Sequence, residues 1–225
     1  TNTMQDEDIA YVRGNDTVRV GLIGCGGRGT GAAVNSANAF SGVQIAAMGD
    51  LFRDHLEESR ANLEEEIGDQ LTVTDETAFV GFDAYQQVLD TDVDYVILAT
   101  PPGFRPIHIR AALEAGKHVF AEKPVAVDSA GVRSVMESGR IADEKGLAFV
   151  AGTQRRHDPR YIQTIQRIHD GAIGVVRAAQ INRSTGPLWL RERQPGMSDM
   201  EWQCRNWYYF TWLSGDHVVE MHIHS

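Results

Sequence analysis

Val18-Arg19-Val20-Gly21-Leu22-Ile23 and the six residues after it, Gly24-Cys25-Gly26-Gly27-Arg28-Gly29, are the stretch on which the fold turns. The first six form the apolar run expected of a buried strand. The next six fit G-x-G-x-x-G, and Ala32–Phe40 continues as a helix of small residues. In such a strand–loop–helix unit Gly24 allows the tight turn and Gly26 lets backbone N–H groups approach a pyrophosphate. Gly29 permits close helix–strand packing, and the helix N-terminus supplies partial positive charge. Gly27 and Arg28 complete the loop, with Arg28 either a phosphate contact or an exposed loop arginine. The motif alone is a weak signal; its place between strand and helix is the context it needs.

Working outward, apolar strands alternate with helical segments, which predicts a parallel sheet wrapped by helices. Strands are expected at Val43–Met48, Val93–Ala99, His118–Ala121 and Leu147–Ala151. Helices are expected at Asp54–Ile67, with Leu56 and Leu63 inward, and at Ile107–Ala115, closed by Gly116. Another runs from a cap at Asp128 or Ser129 to Lys145, closed by Gly146. This is the order of a doubly wound, Rossmann-type α/β fold over residues 18–151. Asp50 ends the second strand about 20 residues beyond Gly29, where a carboxylate accepts hydrogen bonds from ribose hydroxyls. It repels a 2′-phosphate, so NAD is expected in preference to NADP, with Arg53 able to soften that repulsion.

Composition bounds the function. The chain has 225 residues, 42% of them hydrophobic and 23% charged, and a net charge of -10. No apolar run reaches the roughly 20 residues of a membrane-spanning helix. No cluster of Lys and Arg suggests nucleic acid as a partner. Cys25 and Cys204, the two cysteines, make neither a disulfide framework nor a zinc cluster. Residues 1–17 read as an arm. The Thr-Asn-Thr start is consistent with a removed start codon or export signal, which leaves location open, with the cytoplasm the first expectation.

Beyond residue 151 the composition changes, and all four tryptophans lie there. A helix at Pro159–Asp170 and a strand at Val175–Arg183 are expected to begin a second, α/β substrate domain over residues 152–225. That domain reads as incomplete at Ser225, so its strand is expected to expose an edge that promotes association. Trp202, Trp207, Tyr208, Tyr209, Phe210 and Trp212 are either core or a platform for a sugar ring. Gln154-Arg155-Arg156-His157 follows the last strand of the first domain. Arg156 and His157 are candidate substrate contacts, with an interface salt bridge the alternative for Arg156.

Ala121-Glu122-Lys123-Pro124-Val125-Ala126 resembles the E-K-P signature of the glucose–fructose oxidoreductase and inositol dehydrogenase (Gfo/Idh/MocA) family. Val20–Gly26 is similar to that family's opening strand and loop. Thr100-Pro101-Pro102 with His108, then Ala111–Val119, match its next segment in order and spacing. The resemblance implies a nucleotide domain followed by an open-sheeted α/β domain, assembled as a homodimer or homotetramer. It implies hydride transfer between NAD and a carbohydrate, inositol or polyol carbon. On this resemblance Thr100, Pro101, His108, Glu122 and Lys123 lie at the cofactor, and Lys123 also stabilises charge on the reacting oxygen.

Glu220-Met221-His222-Ile223-His224 is similar to the family's Asp-x-x-x-His signature, with Glu in place of Asp. His224 is then the general base, and Glu220, one helical turn earlier, orients it or binds substrate hydroxyls. If the segment is helical, His217, Glu220 and His224 share a face that could hold a metal; the reading without a metal is preferred. Two other functions stand beside the dehydrogenase: a redox-neutral sugar-processing enzyme with transiently reduced NAD, and a non-catalytic NAD-binding sensor.

Overall fold

The computed structural model describes residues 17–183 and 186–224. The expected arm lies outside the described residues except for Thr17. The first half is a six-stranded, wholly parallel sheet in the order β3-β2-β1-β4-β5-β6. Its strands are β1 Val18–Ile23, β2 Val43–Asp50, β3 Ala78–Val80, β4 Tyr95–Leu98, β5 His118–Ala121 and β6 Phe149–Ala151. The helices between them are α1 Gly27–Ala39, α2 Arg53–Ile67, α3 Ala84–Leu89, α4 Arg105–Glu114 and α5 Ser129–Lys145. This is the doubly wound dinucleotide order, and the order in which strands are added reverses between β1 and β4.

The sheet is covered on both faces. One core joins Val20, Leu22, Ile45 and Met48 to Leu56 and Leu63 of α2. The other joins Ile23, Val96 and Leu98 to Ile109 and Leu113 of α4. Burial on both sides explains why β1 reads as a continuous apolar run. Asp128 caps α5, its carboxylate accepting from the Gly131 N–H at 2.6 Å, and Gly146 closes it in the left-handed conformation. The short pair β3 and α3 was not among the expected elements, because three strand residues carry too little periodicity to read.

The second half differs from expectation. Helix α6 forms at Pro159–His169, but Val175–Arg183 is not a strand. A lone β-rich segment has no intrinsic strand structure; it needs a neighbour to satisfy its ladder. Among the described residues beyond Ala151 no such neighbour exists. The chain instead returns to the first domain through α7 Asp199–Arg205, α8 Thr211–Ser214 and α9 Asp216–Glu220. Arg205 pairs with Asp54 at 2.8 Å and lies 3.9 Å over the Phe52 ring. Gly103 donates to the Leu213 carbonyl at 2.8 Å, and a Cβ at Gly103 would meet the Trp212 carbonyl at 2.4 Å.

Candidate active site

The glycine loop has the geometry its residue types demand. Gly24 has φ of 96°, and a Cβ on it would lie 2.6 Å from the Thr100 nitrogen. A Cβ on Gly29 would lie 1.9 Å from the Gly24 carbonyl oxygen, so only glycine brings α1 this close to β1. At Gly26 and Gly27 a Cβ would meet nothing within 4 Å. That open space is where a pyrophosphate would lie against the N-terminus of α1.

Two recesses flank this loop. Gly24, Gly26, Asp50, Thr100, Pro101 and His108 line a cavity of ≈ 380 Å³ at the β1–β4 reversal. Gly26, Gly27, Arg28 and Gly29 line an adjoining recess of ≈ 450 Å³. Asp50 accepts from the Cys25 N–H at 2.6 Å and from the Phe52 N–H at 2.8 Å. One oxygen takes each bond, so each keeps a lone pair for a ribose hydroxyl. Arg53 faces Glu57 at 3.8 Å, a weak surface pair. These residues fit a dinucleotide with an unphosphorylated ribose.

His108 is buried, stacks on Tyr85 at 4.3 Å and meets the Thr100 hydroxyl at 3.1 Å. Burial, with the Arg105 charge adding, lowers its pKa to about 4, so it is neutral near pH 7. Cys25 is a buried thiol whose pKa burial, then Asp50, pushes well up; it stays protonated. Arg28 turns across the strand ends to Glu122, with Nε and Nη2 at 2.7 and 2.6 Å from one carboxylate oxygen.

Lys123 and His224 line a third cavity, ≈ 530 Å³, which Arg156 also lines. The Lys123 ammonium donates to the Glu220 carboxylate at 2.5 Å and to its backbone carbonyl at 3.0 Å. An ammonium has three N–H groups, so one is left for another oxygen. Burial raises the Glu220 pKa, against the opposing pull of Lys123 and Arg105. The His224 pKa is lowered by burial, then by Lys123, Arg183 and Arg155. Its carbonyl accepts from Arg155 Nη1.

The helix expected to carry His224 ends at Glu220, and His222–His224 is a 3-10 turn. The Glu220 carboxylate is hydrogen-bonded to Lys123. The helical face proposed for a metal is not formed, and the described residues hold no group of three or more metal-ligating side chains. His157 is exposed at the end of a 3-10 turn, outside the lining of this cavity. The aromatic cluster does not line it either. Trp207 lines both recesses beside the glycine loop, Trp202 packs edge-on to Phe210, and Trp212 does so to Phe104.

Sequence reasoning passed over Arg105, which is only 4% exposed and donates to the Pro124 carbonyl at 2.5 Å behind Lys123. Burial lowers its pKa to about 10, so it remains charged at neutral pH. Its place one turn before His108 in the matched segment was the available signal.

A parallel sheet in this order, with this glycine loop and acidic strand end, defines a dinucleotide-binding Rossmann fold. The chain belongs to the Gfo/Idh/MocA family, whose profile, described as "Oxidoreductase family, NAD-binding Rossmann fold", matches residues 18–153. It is 34% identical over 176 residues to inositol 2-dehydrogenase 4 of Saccharopolyspora erythraea, covering 77% of this chain and 48% of the relative. An inositol 2-dehydrogenase of Acidothermus cellulolyticus is 31% identical over 160 residues, covering 70% of this chain and 42% of that one.

Among solved structures, a scyllo-inositol dehydrogenase from Lactobacillus casei with NAD(H) and scyllo-inositol superposes with a TM-score of 0.55. Its sequence is 29% identical, and the match covers 71% of this chain and 43% of that one. A 3-ketoreductase from Actinomadura kijaniata with TDP-benzene and NADP also gives 0.55, at 27% identity over 72% and 46% of the two chains. The chain thus spans about half the length of the relatives it matches.

Proposed function

We propose that this protein transfers hydride between NAD and a carbinol carbon of a carbohydrate, inositol or other polyol. The observation that carries the reading is the half-buried Lys123 ammonium, held by Glu220 with one N–H to spare, in the same cavity as His224. When bound, NAD supplies the hydride acceptor. Gly24, Gly26, Gly27 and Gly29 seat its pyrophosphate, with Asp50 on the ribose and Thr100, Pro101 and His108 along the crevice. Arg28 and Glu122 close the loop against the E-K-P turn.

Lys123 donates its remaining N–H to the oxygen on the reacting carbon and stabilises the charge that develops there. His224 takes the hydroxyl proton; its lowered pKa keeps it neutral, and so able to accept, near pH 7. Glu220 and the buried Arg105 fix the direction of Lys123.

Lys123→Ala in the complete protein should leave NAD affinity nearly intact and lower turnover by about 10² or more. Near-native turnover refutes the role. Net NADH formation on a panel of sugars and inositols tests the reaction; product without NADH points to the redox-neutral alternative. Asp50→Ala should narrow a preference for NAD over NADP, measured by calorimetry.

A further inference from the structure

The Lys123–His224 cavity is lined by cationic side chains and by no carboxylate. The chain carries a net -10, and elsewhere several of its arginines are met by carboxylates, as in Arg19–Asp92, Arg60–Asp75, Arg110–Glu114 and Arg205–Asp54. Around this cavity they are not. Arg155 and Arg156 line it, and no Asp or Glu does. Arg183 stands close enough for its charge to bear on His224, and its Nε is buried with no partner among the described residues. Lys123 is balanced by Glu220, but none of these three arginines has an ion-pair partner among the described residues.

An arginine fork matches carboxylate and phosphate oxygens, and a recess lined by cations with no carboxylate among them favours an anion. Arg155 is already held in place by the His224 carbonyl and by the Tyr161 ring 5.4 Å away. Two of its groups remain to donate elsewhere. This cavity shares no lining residue with the two recesses at the glycine loop, so the missing anion is not the cofactor's pyrophosphate.

We propose that the substrate is an anionic sugar or polyol, its carboxylate or phosphate seated against Arg155 and Arg156 while the carbinol carbon meets Lys123 and His224. This deepens the hydride-transfer reading and rests on it for the reacting carbon only; the anion site stands on the charges alone.

Sulfate tests the site without any demand on sugar stereochemistry. It should bind saturably in calorimetry, unlike chloride at equal ionic strength, and should shift the His224 imidazole resonances in NMR. Arg155→Gln and Arg156→Gln should each weaken it about tenfold, the loss expected for a charge-assisted hydrogen bond. Glucuronate, glucose 6-phosphate and glucose form the second arm. Either anion binding at least tenfold tighter than glucose supports the proposal, and the tighter of the two identifies carboxylate or phosphate. No saturable sulfate effect, an effect unchanged in both variants, or glucose binding as tightly as the anions overturns it. Anion binding through Arg156 without NADH formation would sink the hydride reading and leave this site standing. Equal NADH formation from glucose and glucuronate would do the reverse.

Discussion

Residues 18–151 and residues 152–224 are built by different means. The first stretch buries its large side chains in two cores, one on each face of a parallel sheet, and its exposed apolar residues are scattered. The second buries little besides Cys204 and Leu213, while Ile162, Ile165, Ile173, Val175, Val176 and Leu190 remain exposed. What fixes it is a few specific contacts with the first stretch: Arg205 on Asp54 and Phe52, Gly103 on Leu213, Lys123 on Glu220. The nucleotide half is thus held by area, and the remainder by docking. The catalytic candidates straddle the two, Lys123 from one and His224 from the other.

The sharpest way to break this contrast is to cut into each part. Leu22→Ala, at a fully buried position of β1, should cost about 3 kcal/mol, whereas Val175→Ala should cost less than about 0.5 kcal/mol. Urea denaturation of the two variants checks it, and comparable losses would mean that Val175 is not solvent-facing.

Comparable in size is an acid effect confined to the first half. His108 is buried, and its pKa falls from an ordinary 6.5 to about 4. A histidine lowered on folding contributes stability that is full above its unfolded pKa and is lost as pH falls through the folded one. Between pH 6.5 and 4 the loss from this group should be roughly 3 kcal/mol. Comparing the pH dependence of unfolding in the native protein and in His108→Gln isolates it; identical slopes would deny the neutral burial.

Gly103→Ala acts on the junction. Its Cβ would press on the Trp212 carbonyl, and the expected cost is about 2 kcal/mol, the scale of overpacking. Limited proteolysis should then cut near residues 199–214 first, and NAD affinity should fall, because Cys204 and Trp207 line the cofactor crevice. The smallest effect belongs to Asp54→Asn. Asp54 is 60% exposed, so losing its charge beside Arg205 should cost less than about 1 kcal/mol in a thermal scan.

Much of the first half was legible because its signals are local. Periodicity, glycine spacing and the ends of strands and helices sit within a few residues of one another, and the Leu56 and Leu63 face of α2 is buried as expected. The strand expected at Val175–Arg183 failed for a non-local reason, since β propensity records fit to a neighbouring strand rather than an intrinsic shape. The His224 segment failed similarly. Helical spacing suggested a face shared by Glu220 and His224, but Glu220 is drawn to Lys123, 97 residues away, and the helix stops there.

By itself the sequence determined that residues 18–151 form a dinucleotide fold and which residues could carry its chemistry. Glycines, strand-end acids and a lysine after a strand have only a few sterically and electrostatically acceptable settings. Only the tertiary structure decided which of them meet. It set Arg28 on Glu122, Trp207 in the recesses beside the glycine loop, and Arg155 and Arg156 in the cavity with His224. Such contacts depend on where distant segments dock, and pairing a charge or leaving it unpaired is settled by burial and distance, which no local pattern encodes.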